Sequence, residues 1–151
     1  MHTTVELFIP HATTEDLFRQ VATLDRYPAW MRLVYRVEPL EPDDGRPAWR
    51  VELRARMGPF ARSKQLRMVR TEHEPGRHVR FERIPDDDKD HAEWVLSATV
   101  TPGEGGASVW TELTYTGGLW GSGGVLQRVL DDEIRRGKDA LAGLVSAEPT
   151  R

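Results

Sequence analysis

Cysteine is absent from this sequence of 151 residues. A chain without thiols forms no disulfide, has no thiolate nucleophile and lacks the sulfur ligands of Cys-based zinc sites. The chain is nevertheless long enough to bury a hydrophobic core in one domain without such crosslinks. We therefore expect one domain over residues 1–151, held together by side-chain packing.

The sequence also lacks a strong excess of charge of either sign and lacks long hydrophobic runs. Its formal net charge is −3, which argues against a general polyanion-binding protein, so we expect no nucleic-acid partner. No apolar run approaches the length of a membrane span, and no signal-peptide pattern opens the chain. These features, with the missing cysteines, favour a cytoplasmic location. The sequence leaves the oligomeric state open.

Motifs for metals and cofactors are lacking as well. His73 and His78 are spaced one residue too far apart for a zinc-protease motif, and Pro75-Gly76 between them prevents the necessary helix. The acidic run Asp86–Asp90 lacks the ligand spacing and the glycine of a calcium loop. The glycine-rich segment at residues 117–124 lacks the Lys-Ser/Thr of a phosphate-binding loop. We therefore predict no metal site and no cofactor.

Apolar and polar residues alternate along much of the chain, as in half-buried strands. The clearest two-residue period runs from Trp49 to Met57. It predicts that Arg50 and Arg54, like Glu93 before a later strand, face water. The residues predicted to face the C-terminal helix are Trp49, Val51, Leu53, Trp94, Leu96 and Ala98. The predicted strands are Thr4–Ile9, Leu33–Glu38, Trp49–Met57, Ala61–Glu72, Val79–Arg83, Trp94–Val100 and Val109–Tyr115, with a loop at residues 39–47.

Helical patterns lie between the first two strands and at the C-terminus. Thr13 or Thr14 caps a first short helix, and Pro28 opens or kinks a second one. The stretch Leu119–Val145 predicts a long helix with a wide apolar face. Two residues interrupt that face. Gly137 either leaves room for a ligand or permits close packing, and Glu133 either aims its carboxylate into a cavity or extends to water.

This order of elements predicts an α+β fold in which a curved antiparallel β-sheet grips a long C-terminal α-helix, with two short helices after the first strand. A curved sheet around one helix leaves an apolar cavity between them. The glycines around Leu119 and Trp120 form either a gate at the mouth of this cavity or a simple strand-to-helix joint.

The element order, the LDRYPAWM segment at residues 24–31 and the GLWGSGGVLQRVLDDEIRRGKDALAGL tail resemble the START-like SRPBCC (helix-grip) superfamily, in its polyketide cyclase/dehydrase and lipid-transport branch. The resemblance implies a small hydrophobic molecule as partner, and only some members are enzymes. It implies that the protein binds or carries a lipid- or polyketide-like molecule. The alternative is a polyketide aromatase/cyclase or dehydrase acting in the same cavity. A third hypothesis, a protein-interaction module with a collapsed core, predicts no open cavity.

Aromatic and aliphatic side chains are predicted to line the cavity. The predicted ligand-binding residues are Trp30, Tyr35, Trp49, Leu53, Met68, Phe81, Trp94, Leu96, Tyr115, Trp120, Leu126, Leu130 and Ile134.

Polar residues on the predicted inner face supply candidates for acid–base chemistry. The catalytic candidates are Tyr35, Glu133, Arg70 and Arg83. Arg62 and Lys64 share the inward phase of Arg70 and Arg83, so these cations bind an anionic or carbonyl-bearing ligand group unless a β-bulge turns them to solvent.

Overall fold

In the residues that the structure describes, the protein has an α+β fold of seven strands, two α-helices and one 3₁₀ helix. The computed structural model describes residues 2–57, 59–85, 92–116 and 123–147. The elements are β1 (His2–Pro10), α1 (Thr14–Val21), the 3₁₀ helix (Leu24–Ala29), β2 (Val34–Asp43), β3 (Arg46–Met57), β4 (Phe60–Glu74), β5 (His78–Arg83), β6 (Trp94–Gly103), β7 (Gly106–Tyr115) and α2 (Gly123–Ala147).

The strands form one antiparallel sheet in the order β1-β7-β6-β5-β4-β3-β2. Consecutive strands from β2 to β7 are neighbours, and β1 closes the order by pairing with β7. The sheet is curved, and the C-terminal helix α2 packs against β1 and α1. This arrangement confirms the predicted helix-grip fold.

The predicted alternation of buried and exposed side chains is also confirmed. On β3, Val51 and Leu53 are buried, whereas Arg54 is exposed and Arg50 is half-buried. Glu93 before β6 is exposed. The remaining residues predicted to face inward, Trp49, Trp94, Leu96 and Ala98, are buried as well.

The predicted loop at residues 39–47 was wrong, because β2 continues to Asp43 and turns tightly into β3. Asp44 and Gly45 both have positive φ angles, 53° and 79°, which are the backbone angles of a two-residue hairpin turn. The Asp43 carboxylate accepts hydrogen bonds from Arg46 at 2.7 Å and from Arg67 at 3.3 Å. These two bonds lower the pKa of the Asp43 carboxyl and tie the turn to β4.

The 3₁₀ helix and the residue after it are bonded to the end of α1 through two aromatic side chains. Thr13 caps α1 by accepting a hydrogen bond from the Asp16 amide at 3.1 Å. In the 3₁₀ helix, the Tyr27 hydroxyl is fully buried and donates to the Val21 carbonyl at 3.0 Å. Burial raises the pKa of Tyr27. Just after the helix, the Trp30 indole donates to the Gln20 carbonyl at 3.4 Å, which fixes the segment that leads into β2.

Gly137 lies where α2 crosses that segment. A Cβ atom at this position would overlap the Trp30 carbonyl oxygen and would lie 3.2 Å from Cε3 of the Trp30 ring. The first of the two alternatives for Gly137, room for a ligand, is therefore not supported. The alternative, close packing, is correct, although the contact is made by the backbone after the 3₁₀ helix rather than by a strand.

We expect Gly137→Ala to lower the free energy of unfolding by about 1–3 kcal/mol, because the overlap with a backbone carbonyl outweighs the gain in helix propensity. Gly143→Ala is the matched control, since no atom lies within 4 Å of its added Cβ on the same helix. That control should stabilise the protein by up to about 1 kcal/mol. Urea denaturation measures both values, and a gain of stability in both variants would contradict the close contact.

Candidate functional site

An apolar cavity lies between the sheet and α2. Its walls come from the 3₁₀ helix, the segment that follows it, five strands and α2. Every described side chain that lines it is apolar or aromatic, and none of them titrates. The described lining residues are Leu24, Met31, Leu33, Val34, Val51, Leu53, Leu66, Met68, Trp94, Leu96, Leu113 and Ile134.

The cavity is narrow. Its volume is about 40 Å³. This volume is far below the roughly 300–1,000 Å³ of typical ligand pockets. A molecule larger than a few atoms therefore enters only if the walls separate.

The sequence predicted part of this lining. Leu53, Met68, Trp94, Leu96 and Ile134 all face the cavity. Their role in ligand binding stays a prediction, but the structure brings them together around one space.

Four other predicted residues lie in the core around the cavity. Trp30 and Tyr115 are buried, with Tyr115 packed on Trp94 at a ring distance of 4.5 Å. Trp49 packs edge-on against Phe81, with ring centroids 5.7 Å apart. These rings pack against one another and are not among the side chains that line the cavity.

The remaining predicted residues of the lining and its mouth lie at the start of α2 and before it. Trp120 and the predicted gate or joint at residues 117–122 lie outside the described residues, as do the side chains of Leu126 and Leu130.

Tyr35 was predicted to line the cavity and to act as an acid, and both predictions were wrong. The register of β2 against β3 shifts between Val34 and Arg36, as at a β-bulge, so Val34 takes the inward position. Tyr35 is 47% exposed on the outer face of the sheet. There the Arg54 guanidinium lies 4.9 Å from the centre of its ring. The extra residue of the bulge reversed the predicted side of Tyr35.

Several lining residues were missed by the sequence reasoning. Val51, Leu66 and Leu113 lie on predicted strands. The alternation along those strands already placed them on the inner face, so they could have been included in the predicted lining. Met31 and Leu33 lie in the segment between the 3₁₀ helix and β2, where no periodic pattern identifies the buried side.

Arg70 points inward but supports the backbone. It lies opposite the buried Phe81, as its phase predicted. Its guanidinium donates to the Ala22 carbonyl at 2.9 Å, at the C-terminal end of α1, where helix carbonyls lack partners. Burial lowers the pKa of Arg70. This bond places Arg70 in a structural position, so the prediction of a catalytic group has no support from its contacts.

Lys64 and Arg83 lie on the inner face of the sheet, beside the cavity but not among the side chains that line it. Lys64 is opposite Leu53, and Arg83 is opposite Met68, two of the lining residues. Arg83 donates to the Ala92 carbonyl at 3.1 Å. Burial and the nearby Arg83 charge lower the pKa of Lys64. The Arg62 side chain lies outside the described residues.

Glu133 does not reach the cavity. Its neighbour Ile134 faces the cavity, and because successive helix residues differ by about 100°, Glu133 turns to a separate surface cleft of about 320 Å³. There its Oε2 lies 3.7 Å from Nε of Arg32, with Trp30 and Gly137 also on the cleft. This oxygen is buried and accepts no hydrogen bond from the described residues. Of the two alternatives for Glu133, a carboxylate aimed into the cavity is therefore not supported.

The family model for polyketide cyclase/dehydrase and lipid transport matches residues 1–146. The chain belongs to this family. No relative of curated function matches the chain in sequence. In the described part of the chain, no helix has both the length and the apolar character of a membrane span, and no group of His, Asp and Glu side chains could hold a metal ion.

Solved structures confirm the START-like fold of this family member. A Thermus thermophilus protein is 20% identical over 99% of this chain and 100% of its own, with a TM-score of 0.73. A START superfamily protein from Mycobacterium smegmatis is 18% identical over 97% of both chains, with a TM-score of 0.69. The di-domain ARO/CYC StfQ from the steffimycin biosynthetic pathway is 16% identical over 97% of this chain, with a TM-score of 0.69, and this chain spans 50% of its length.

We expect Arg70→Met to lower the free energy of unfolding by about 1–3 kcal/mol, because a charged hydrogen bond to the end of α1 is lost in a half-buried place. Arg77→Met is the control, since Arg77 pairs with Glu74 on an exposed turn and such pairs contribute about 0–1 kcal/mol. Urea denaturation compares the two. An Arg70 variant as stable as the wild type would contradict the structural role.

Proposed function

We propose that the protein binds and carries a small hydrophobic, lipid- or polyketide-like molecule in the cavity between the sheet and α2. The observation that carries the proposal is the wholly apolar wall formed by the described lining residues. Such a wall excludes water from a flat or aliphatic ligand, and burial of the ligand's apolar surface favours its binding. The collapsed interaction module predicts no open cavity, so ligand binding is favoured over it only if this narrow apolar space widens.

Uptake requires the cavity to widen, and its walls contain residues suited to this change. Met31 and Met68 are unbranched and adapt their shape more easily than branched side chains do. They lie on separate elements, the segment before β2 and the strand β4. Rearrangement of these two side chains would enlarge the space without moving the sheet.

The alternative function, an aromatase/cyclase or dehydrase, needs a titratable or hydrogen-bonding group within reach of the ligand. None of the described lining side chains is such an acid or base. Tyr35 lies on the outer face, Glu133 in the separate cleft, and Arg70 against α1. The fourth candidate, Arg83, lies on the inner face opposite the lining residue Met68. Unlike Arg70, it is not bonded to the end of a helix. These positions support carriage over catalysis.

We expect the neutral fluorescent dye Nile red to bind the wild-type protein, and Met68→Phe to weaken its binding about tenfold, a change of about 1.4 kcal/mol, by filling the cavity. Trp110→Ala is the control, since Trp110 is exposed on the outer face. Fluorescence titration gives both Kd values, with circular dichroism to verify folding. Loss of binding only in the Trp110 variant would show that the dye sits on the outer surface.

Native mass spectrometry of freshly purified protein provides an independent test of carriage. We expect a bound molecule whose mass is lost under denaturing conditions and whose retention falls in Met68→Phe. A bare protein mass, together with no Nile red binding, would contradict the proposed function.

Glu133→Gln distinguishes the carrier from the enzyme. For a carrier we expect Nile red affinity within about twofold of the wild type, because Glu133 lies outside the cavity, and no product from any polyketide substrate tested by chromatography. Asp132→Asn, at the exposed neighbouring position of α2, is the control. Turnover by the wild type that disappears only in Glu133→Gln would overturn the carrier proposal.

A further inference from the structure

Lys64 and Arg83 lie on the inner face of the sheet, each opposite a residue that lines the apolar cavity. We propose that the ligand is an amphipathic anion whose carboxylate binds Lys64 while its apolar chain or ring system fills the cavity. This inference rests on the proposed function and specifies the chemical class of the ligand.

The strand register places both cations on the inner face. Side chains directly opposite each other in an antiparallel pair lie on the same side of the sheet. Lys64 is opposite Leu53, and Arg83 is opposite Met68, and both partners line the cavity. Leu66, two residues from Lys64 on the same strand, lines it as well. Each cation is therefore a neighbour of the apolar wall, although neither is one of the lining side chains.

The charge of Lys64 lacks an acidic partner in the part of the chain that the structure describes. Other half-buried cations are differently placed, since Arg67 binds Asp43 at 3.3 Å and Arg80 binds Glu82 at 3.2 Å. Lys64 is instead half-buried near a second cation, Arg83, which disfavours its charged form. An anion bound at Lys64 would favour its charged form and so offset both effects.

The opposite end of β4 is not suited to the same role. Arg70 also faces inward there, but its guanidinium is committed to the Ala22 carbonyl. Six residues separate Arg70 from Lys64, a distance of about 20 Å along a strand. The arrangement therefore gives the ligand one orientation, with its anionic end at Lys64 and its apolar body toward the 3₁₀ helix.

Competition against bound Nile red, with decanoate and decanol as probes, tests the proposal. These compounds share one alkyl chain and differ in the head group. We expect decanoate to bind the wild type about tenfold more tightly than decanol at low salt. Lys64→Met keeps an apolar stem but removes the charge, so it should abolish this preference by weakening decanoate alone. Lys64→Arg should restore most of it, and the control Lys138→Met, at an exposed position of α2, should leave it unchanged.

The outcomes separate this inference from the proposed function. Equal displacement by decanoate and decanol in the wild type would overturn the anionic ligand while leaving hydrophobic binding intact. A preference that survives in Lys64→Met, or that falls equally in Lys138→Met, would also overturn it. If neither Nile red nor either alkyl compound binds the wild type, the proposed function itself fails.

Discussion

The contact between Gly137 and the Trp30 carbonyl determines how the C-terminal helix sits on the protein. Without a Cβ, α2 touches the backbone that follows the 3₁₀ helix. This approach fixes the rotation of α2, so that Ile134 faces the cavity and Glu133 faces the outer cleft. It also holds the segment in which Met31 lines the cavity. The absence of a side chain at Gly137 thus determines which residues of α2 line the apolar cavity and which lie on the outer, polar cleft.

The same segment is held from its other side by aromatic packing. The Tyr27 ring lies 5.0 Å from that of Trp30 and 6.0 Å from that of Phe81, and Phe81 packs in turn on Trp49. These rings join the 3₁₀ helix to β3 and β5. These rings are buried against one another, so the adjacent cavity is lined mainly by aliphatic side chains. The large aromatic residues therefore serve as the support of the site more than as its surface.

The sequence predicted those features that depend on local periodicity. The alternation along β3 placed Val51 and Leu53 inside because burial on one face of a sheet imposes a two-residue period. It failed at Tyr35, since the register shift between Val34 and Arg36 puts Val34 inward and Tyr35 outward and leaves no mark in composition, whereas Val37 opposite Val51 keeps its predicted side. Gly137 was recognisable as an interruption of an apolar face, but its contact is set by a distant segment. Glu133 failed for a related reason, because its direction depends on the exact rotation of α2.

The small volume of the cavity follows from the energetics of empty apolar space. Unfilled volume in a core destabilises a protein by about 24 cal/mol per Å³, so a vacant pocket of 300 Å³ would cost about 7 kcal/mol. That is comparable to the whole free energy of unfolding of a domain, about 5–15 kcal/mol. The observed 40 Å³ costs only about 1 kcal/mol. A chain that carries an apolar ligand is therefore expected to close around the vacant site and to reopen when the ligand's own buried surface replaces the lost contacts. If the proposed anionic ligand binds here, the apolar wall supplies most of its affinity, and the charge of Lys64 favours it over neutral molecules of the same shape.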